Sequence, residues 1–301
     1  MRKSAGIILI SAGVLMILFT LGSGNIFANN WFSFGTKQIN IERSIDAADF
    51  QNLAIETRST DVQVTQGNSD QIKVHLYGKV SSQHADSIDL IVDPNQDTLH
   101  IGIDTPNGIN FGFNIISLDM TVELPQKVWD SLEVNATSGD LEVSEANGKS
   151  VEVQTKSGNI VMTHIQADTI KMEASSGNAS LQHFEADKVT FDLRSGNVDL
   201  EDGVAEIKGE VTSGNIHIAV EDLKHNTELE SNSGSVTVEL SNQPESLAVD
   251  YRGTSGKGTI EWEGIQYEEK SDDRDILKGS FGDGKVKLKV RTTSGDFTLD
   301  N

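Results

Sequence analysis

A tripeptide recurs along most of this chain: Ser-Gly followed by Asn or Asp, at an almost fixed spacing. It stands as Ser138-Gly139-Asp140, Ser157-Gly158-Asn159, Ser176-Gly177-Asn178, Ser195-Gly196-Asn197 and Ser213-Gly214-Asn215. Looser copies follow as Ser233-Gly234-Ser235 and Ser255-Gly256-Lys257, and Ser294-Gly295-Asp296 closes the series. Successive glycines are 19, 19, 19, 18, 20, 22 and 39 residues apart. A period of this length belongs to a stacked repeat, in which no unit can bury its apolar face without its neighbours.

Each unit holds two short apolar alternations, as in Leu141/Val143 then Val151/Val153, and Ile160/Met162 then Ile170/Met172. Alternation with a period of two is the mark of a strand with one buried face. Two strands and two corners per unit describe a coil, so residues one period apart are expected in neighbouring parallel strands about 4.8 Å apart. Leu141, Ile160, Ala179, Val198, Ile216 and Val236 then form one internal stack. At one corner, glycine supplies the positive φ of a tight turn, and Asn or Asp bonds its own backbone. The corner residues Gly139, Asp140, Gly158, Asn159, Gly177, Asn178, Gly196, Asn197, Gly214 and Asn215 are therefore expected to form a turn ladder. A meander of antiparallel hairpins is the competing topology. The solenoid is favoured because only one corner of each unit keeps its sequence.

The remainder of the chain divides around this array. Residues 37–135 read as β without the clean period, although Ser59-Thr60-Asp61-Val62 looks like a degenerate copy, and residues 136–301 carry the regular repeats. Residues 1–29 begin Met1-Arg2-Lys3 and continue into an apolar run from Ala5 to Leu21. At 1.5 Å per residue such a run reaches about 26 Å, just short of a hydrocarbon core of about 30 Å. A retained membrane helix is expected over a cleaved signal peptide, because Ile26-Phe27-Ala28 is a poor cleavage site. Arg2 and Lys3 hold the N-terminus in the cytoplasm and place the repeats outside, with Trp31, Phe32 and Phe34 at the interface.

The chain of 301 residues carries a formal net charge of −22 and no cysteine. That charge argues against nucleic acid as a partner, since phosphates need clustered Lys and Arg. The missing cysteines exclude disulfides and thiolate metal sites.

The segment Leu132 to Asp140, the preceding Met120-Thr121-Val122-Glu123-Leu124-Pro125 and the closing Val286 to Phe297 with Thr293-Ser294-Gly295-Asp296 resemble one bacterial family. It is a β-strand-repeat family of unknown function whose members are often labelled as adhesins. With one N-terminal anchor the chain resembles its LiaG-like members, which accompany cell-envelope stress systems in Gram-positive bacteria. The resemblance covers about residues 37–301. It implies an all-β, right-handed β-solenoid of about 19-residue coils behind an N-terminal transmembrane helix, at the outer face of the cell membrane. It brings no catalytic residues and no cofactor. The chain departs from the family pattern between Gly256 and Ser294, where one Ser-Gly is missing.

Motifs for catalysis are absent: there is no G-x-S-x-G, no H-E-x-x-H and no G-x-G-x-x-G between strand and helix. Asp93-Pro94-Asn95-Gln96-Asp97 resembles the start of a calcium loop, but Thr98 stands where glycine is required, and a hairpin turn is expected instead. Six residues after each repeat glycine stand Glu145, His164, His183 and Asp202. Stacked, they make a column of two imidazoles and two carboxylates, a donor set for zinc or another divalent ion, or simply an exposed polar corner. Tyr251, Trp262 and Tyr267, with Phe281, either offer a partner surface or plug the open end of the solenoid. The segment Ile109 to Ile116 is read as a short buried strand.

The expected function is non-enzymatic: a structural, adhesion or envelope-stress role for a membrane-anchored extracytoplasmic solenoid, with envelope proteins or cell-wall polymers as partners. Two alternatives stay open. One is an accessory to stress signalling through the membrane segment, where Gly6 and Gly13 allow close helix packing. The other is an enzyme acting on envelope polysaccharide.

Overall fold

A computed structural model describes residues 35–104 and 116–301, and Thr36–Asn301 forms one unit. The expected anchor, the aromatic residues after it and most of the apolar segment from Ile109 lie outside the described residues. No helix among the described residues is long and apolar enough to cross a membrane.

The repeats wind as coils between two facing sheets. Three consecutive coils are long strands, Ile160–Ser176, Ala179–Ser195 and Val198–Ser213. Each passes from one sheet to the other at a bend, so both of its halves pair in parallel with the coils before and after. The burial pattern alternates along them as the sequence alternates. Every second side chain enters the space between the sheets, where Ile160, Met162, Ile170 and Met172 are at most 1% exposed. The column Leu141, Ile160, Ala179, Val198, Ile216 and Val236 is in register across five parallel pairings. Phe297 continues it.

The step of 18 between Gly196 and Gly214 leaves one coil a residue short, and a register shift between Glu185 and Lys188 absorbs it. The shift falls at the outer bend, so the apolar positions on either side keep facing inward.

Stacking does not follow chain order at either end. Leu247–Gly253 does not lie against Thr227–Ser233; the last long strand, Val286–Ser294, sits between them and pairs in parallel with both. Phe297–Asp300 intercalates in the other sheet between Val236–Leu240 and Gly258–Ile260. At the opposite end Asn52–Ser59 lies between Thr98–Asp104 and Trp129–Ser138. Asp61–Gln66 likewise lies between Ile116–Leu124 and Leu141–Ser144.

Antiparallel strands then cover the outermost coils. Gln71–Ser81 lies between Ile116–Leu124 and Thr36–Asp46, while Asp89–Asn95 forms a hairpin with Thr98–Asp104. That hairpin occupies the segment that resembles a calcium loop, and Gln96 takes φ 56° in its turn. At the far end Ile276–Phe281 pairs with Leu247–Gly253, and Gln266–Lys270 pairs with it in turn. The missing Ser-Gly between Gly256 and Ser294 thus corresponds to an excursion that builds this cover. Strands added across the ends shield the parallel sheets from uncontrolled pairing with other chains.

Candidate functional site

At the conserved corner the repeat glycines stack carbonyl over Cα. A Cβ on Gly158 would overlap the carbonyl oxygen of Gly139, and one on Gly177 that of Gly158; φ at these two is +143° and +132°. The next residue of each corner carries the ladder. Asp140 Oδ1 accepts from Asn159 N at 2.7 Å, Asn159 Oδ1 from Asn178 N at 3.0 Å and Asn178 Oδ1 from Asn197 N at 2.9 Å. Asn197 Oδ1 accepts from Asn215 N and Asn215 Oδ1 from Ser235 N, both at 2.9 Å. Asp61 heads the series, accepting from Asp140 N at 2.8 Å. The Oδ1 of each of these residues serves the coil beyond it, so the corner is a structural spine.

Glu145, His164, His183 and Asp202 form the other corner. All four hold the left-handed backbone conformation, with φ between 51° and 56°, and all four are exposed. The His164 and His183 rings stack at 4.7 Å between centroids with their planes 29° apart, and His183 Nδ1 is 3.6 Å from Asp202 Oδ2. A nitrogen lone pair lies in its own ring plane, so two stacked rings do not aim at one ion in this arrangement.

Two further clusters gave no motif in the sequence. On the outside of the first sheet, which holds Trp129–Ser138 and Asn147–Ser157, Glu173, Asp192, Glu210 and Glu230 stand in register on four successive strands. Glu173 pairs with Lys171 at 2.8 Å. The neighbouring column mixes acid and base, running Glu152, Lys171, Thr190, Lys208 and Glu228, and the Lys171 pKa, with its ammonium bonded to Glu152 and Glu173, is pushed up to about 12. A shallow trough of about 330 Å³ runs between the two columns. The signal was available: each of the four acids stands four residues before a repeat glycine.

On the outside of the second sheet, Asp199, Glu201 and His217 converge, each half-buried, with one ligand atom apiece lying within 4.8 Å of the others. Burial of the His217 ring works against its charge, yet the hydrogen bonds and charges of Asp199 and Glu239 outweigh it and hold its pKa above the ordinary imidazole range.

The C-terminal aromatics separate. Tyr251 is fully buried and stacks on Phe297 at 5.2 Å, so it cannot belong to a partner surface, which corrects that expectation. Phe281 is buried too, and Trp262 packs on the core with Nε1 donating to Asp300 O at 2.8 Å. Tyr267 is the exposed one, under the Lys270 ammonium at 4.4 Å. Inside the coil, Thr292 Oγ1 donates to Gly295 O, which leaves Tyr251 as the donor to Thr292 Oγ1 at 3.0 Å.

Burial pushes the Tyr251 phenol up, against the smaller opposing effect of its Thr292 hydrogen bond. A raised folded pKa means that this contribution to stability is complete below the unfolded value, about 10, and is lost as pH rises toward the folded one. Urea unfolding at pH 9 and pH 11 is therefore expected to show a larger alkaline loss for the native chain than for Tyr251→Phe. Equal losses would remove Tyr251 as the cause.

The family model described as Toastrack DUF4097 matches residues 50–300. Among solved structures the chain is similar to a "putative adhesin" from Bacteroides fragilis, at 12% identity and TM-score 0.49, covering 87% of this chain and 97% of that one. It is similar to a second "putative adhesin", from Parabacteroides distasonis, at 14% identity and TM-score 0.45 with the same two coverages. A "putative lipid binding protein" from the same organism is similar at 14% identity and TM-score 0.40, covering 88% of this chain and 97% of that one. No curated protein matches the chain.

Proposed function

The chain belongs to the Toastrack DUF4097 family, and from that premise we propose that it is a non-enzymatic contact protein of the cell envelope. In this reading residues 1–29 anchor it in the membrane, the solenoid stands outside, and its first sheet binds basic groups on envelope proteins or cell-wall polymers. The column Glu173, Asp192, Glu210 and Glu230 carries the reading. Two like charges one strand spacing apart repel by roughly 1 kcal/mol in water. Four in a row are a standing cost to the folded chain. The neighbouring column intersperses acids with lysines, whereas this one holds four acids in succession, with Gln154 before Glu173 and a cation, Arg291, only after Glu230. A cationic partner laid along the trough would relieve the repulsion and gain steering from the net charge of −22.

The test is capture from crosslinked cells by three proteins: the full chain, the chain from residue 30 onward, and full-length Asp192→Asn/Glu210→Gln/Glu230→Gln. The first two are expected to hold the same wall material or proteins, and the triple variant to lose most of it, increasingly so at low salt where the native interaction is strongest. Partners held only by the full chain would instead make the membrane segment the working part, as in a signalling accessory. Equal capture by native and triple variant would end the proposal for the first sheet.

A further inference from the structure

The second sheet carries a different arrangement, one that hydrogen bonding within a column does not require. Asp199 and Glu201 lie on one strand, and His217 and Ala219 stand opposite them on the next. His217 Nδ1 faces Asp199 Oδ1 at 2.8 Å, and its Nε2 faces Glu239 Oε1 at 3.2 Å on the strand beyond. Gln182 Nε2 donates to Glu201 Oε2 at 3.0 Å. Ala219, between Glu201 and Glu239 in the same column, is too short to fill the space between them. Close by, Asp300 Oδ1 is shut off from solvent and has no hydrogen-bond partner.

We propose that Asp199, Glu201 and His217 Nδ1 form a binding site for a first-row divalent cation, zinc being the best fit. One imidazole nitrogen and two carboxylate oxygens are ordinary zinc ligands, and the imidazole disfavours calcium and magnesium, which take oxygen. The outer layer is built as metal sites build it. An imidazole that ligates through one nitrogen is oriented by a carboxylate on the other, here Glu239, and a ligating carboxylate is held by a further donor, here Gln182. Tetrahedral zinc with bonds of about 2.0–2.1 Å needs ligand atoms about 3.4 Å apart. The present ligand atoms lie within 4.8 Å of one another and must draw together to reach that spacing. Three protein ligands leave a fourth position facing away from the sheet, for water or a donor from a partner.

The proton is the competitor. Zinc must displace any proton that His217 Nδ1 holds against Asp199 Oδ1.

The experiment is zinc titration of the chelator-stripped full chain in mild detergent, followed by calorimetry and by native mass spectrometry. One equivalent is expected at pH 7.5. His217→Ala and Glu201→Gln should each lower affinity at least a hundredfold, and Glu239→Gln by about tenfold through its positioning role. His164→Ala/His183→Ala should leave affinity unchanged. Circular dichroism of each variant separates lost ligands from lost fold. The nitrogen-15 shifts of the native His217 ring, which move on zinc binding at Nδ1, give a readout that needs no substitution. Absence of binding would overturn the proposal, as would retention in His217→Ala with loss in His164→Ala/His183→Ala.

Discussion

Gly177→Ala is expected to remove more than about 4 kcal/mol of stability, the range reserved for changes that the structure cannot absorb. Two independent penalties meet at this residue. Its φ of +132° lies where a side chain is strained by about 1–3 kcal/mol even in open space. The space is not open: the new Cβ would fall on the carbonyl oxygen and carbon of Gly158, both backbone atoms. Relief would require the coils to separate. Separation would break the bonds that run through the corner, Gly158 N to Ser176 O at 3.1 Å, Gly177 N to Ser195 O at 3.0 Å and Asn178 N to Asn159 Oδ1 at 3.0 Å. Because repeats derive their stability from interfaces with their neighbours, the damage spreads to both adjacent coils. Ser176→Ala, one residue earlier and exposed, is the control and should change stability by less than about 0.5 kcal/mol. Urea unfolding followed by circular dichroism measures both. A Gly177→Ala loss below about 1 kcal/mol would mean that the corner is not stacked as described.

The interior of the array was legible because it is local and periodic. Inward alternation, the positive-φ glycine and the amide that follows it are each written within one unit, and 19-residue spacing brings like onto like. The ends were not legible, for a physical reason. A parallel edge accepts any coil with matching corner chemistry, regardless of its distance in sequence. Asp61 therefore heads a ladder whose next rung, Asp140, is 79 residues away. Val286–Ser294 enters between coils already laid down because Ile276–Phe281 occupies the outer edge of Leu247–Gly253. The step of 39 between the last two glycines marked the irregularity without saying where the chain went. The candidate sites show the same division. The acidic column follows the repeat phase and needed only the fourth position before each glycine to be read. The cluster around His217 combines adjacent columns and diagonal neighbours across three strands, so no spacing announces it. Tyr251 illustrates a third limit, since an aromatic in an irregular stretch reads as plug or as platform until its strand has a face.

The largest packing effect is expected where one column changes size abruptly. Running inward along the first sheet, Val153, Met172, Phe191, Gly209 and Leu229 follow in register, so the bulkiest side chain of the series meets the residue with none. The Phe191 ring lies in the volume that a Gly209 side chain would take; a Cβ there would overlap three of its ring carbons. Both residues are buried, and Phe191 is 4% exposed. Gly209→Ala should cost about 1–3 kcal/mol by overpacking, and Phe191→Ala about 3–5 kcal/mol by leaving a cavity. Neither cost survives in full when both are changed. In Phe191→Ala/Gly209→Ala the new methyl enters space that the ring has vacated, so the pair should be more stable than the sum of the single losses predicts by at least about 1 kcal/mol. A double-mutant cycle from urea midpoints gives that coupling directly. Additive losses would show that the ring can move away from Gly209 freely, and the missing side chain would then be an accident of the 18-residue coil instead of the space in which Phe191 packs.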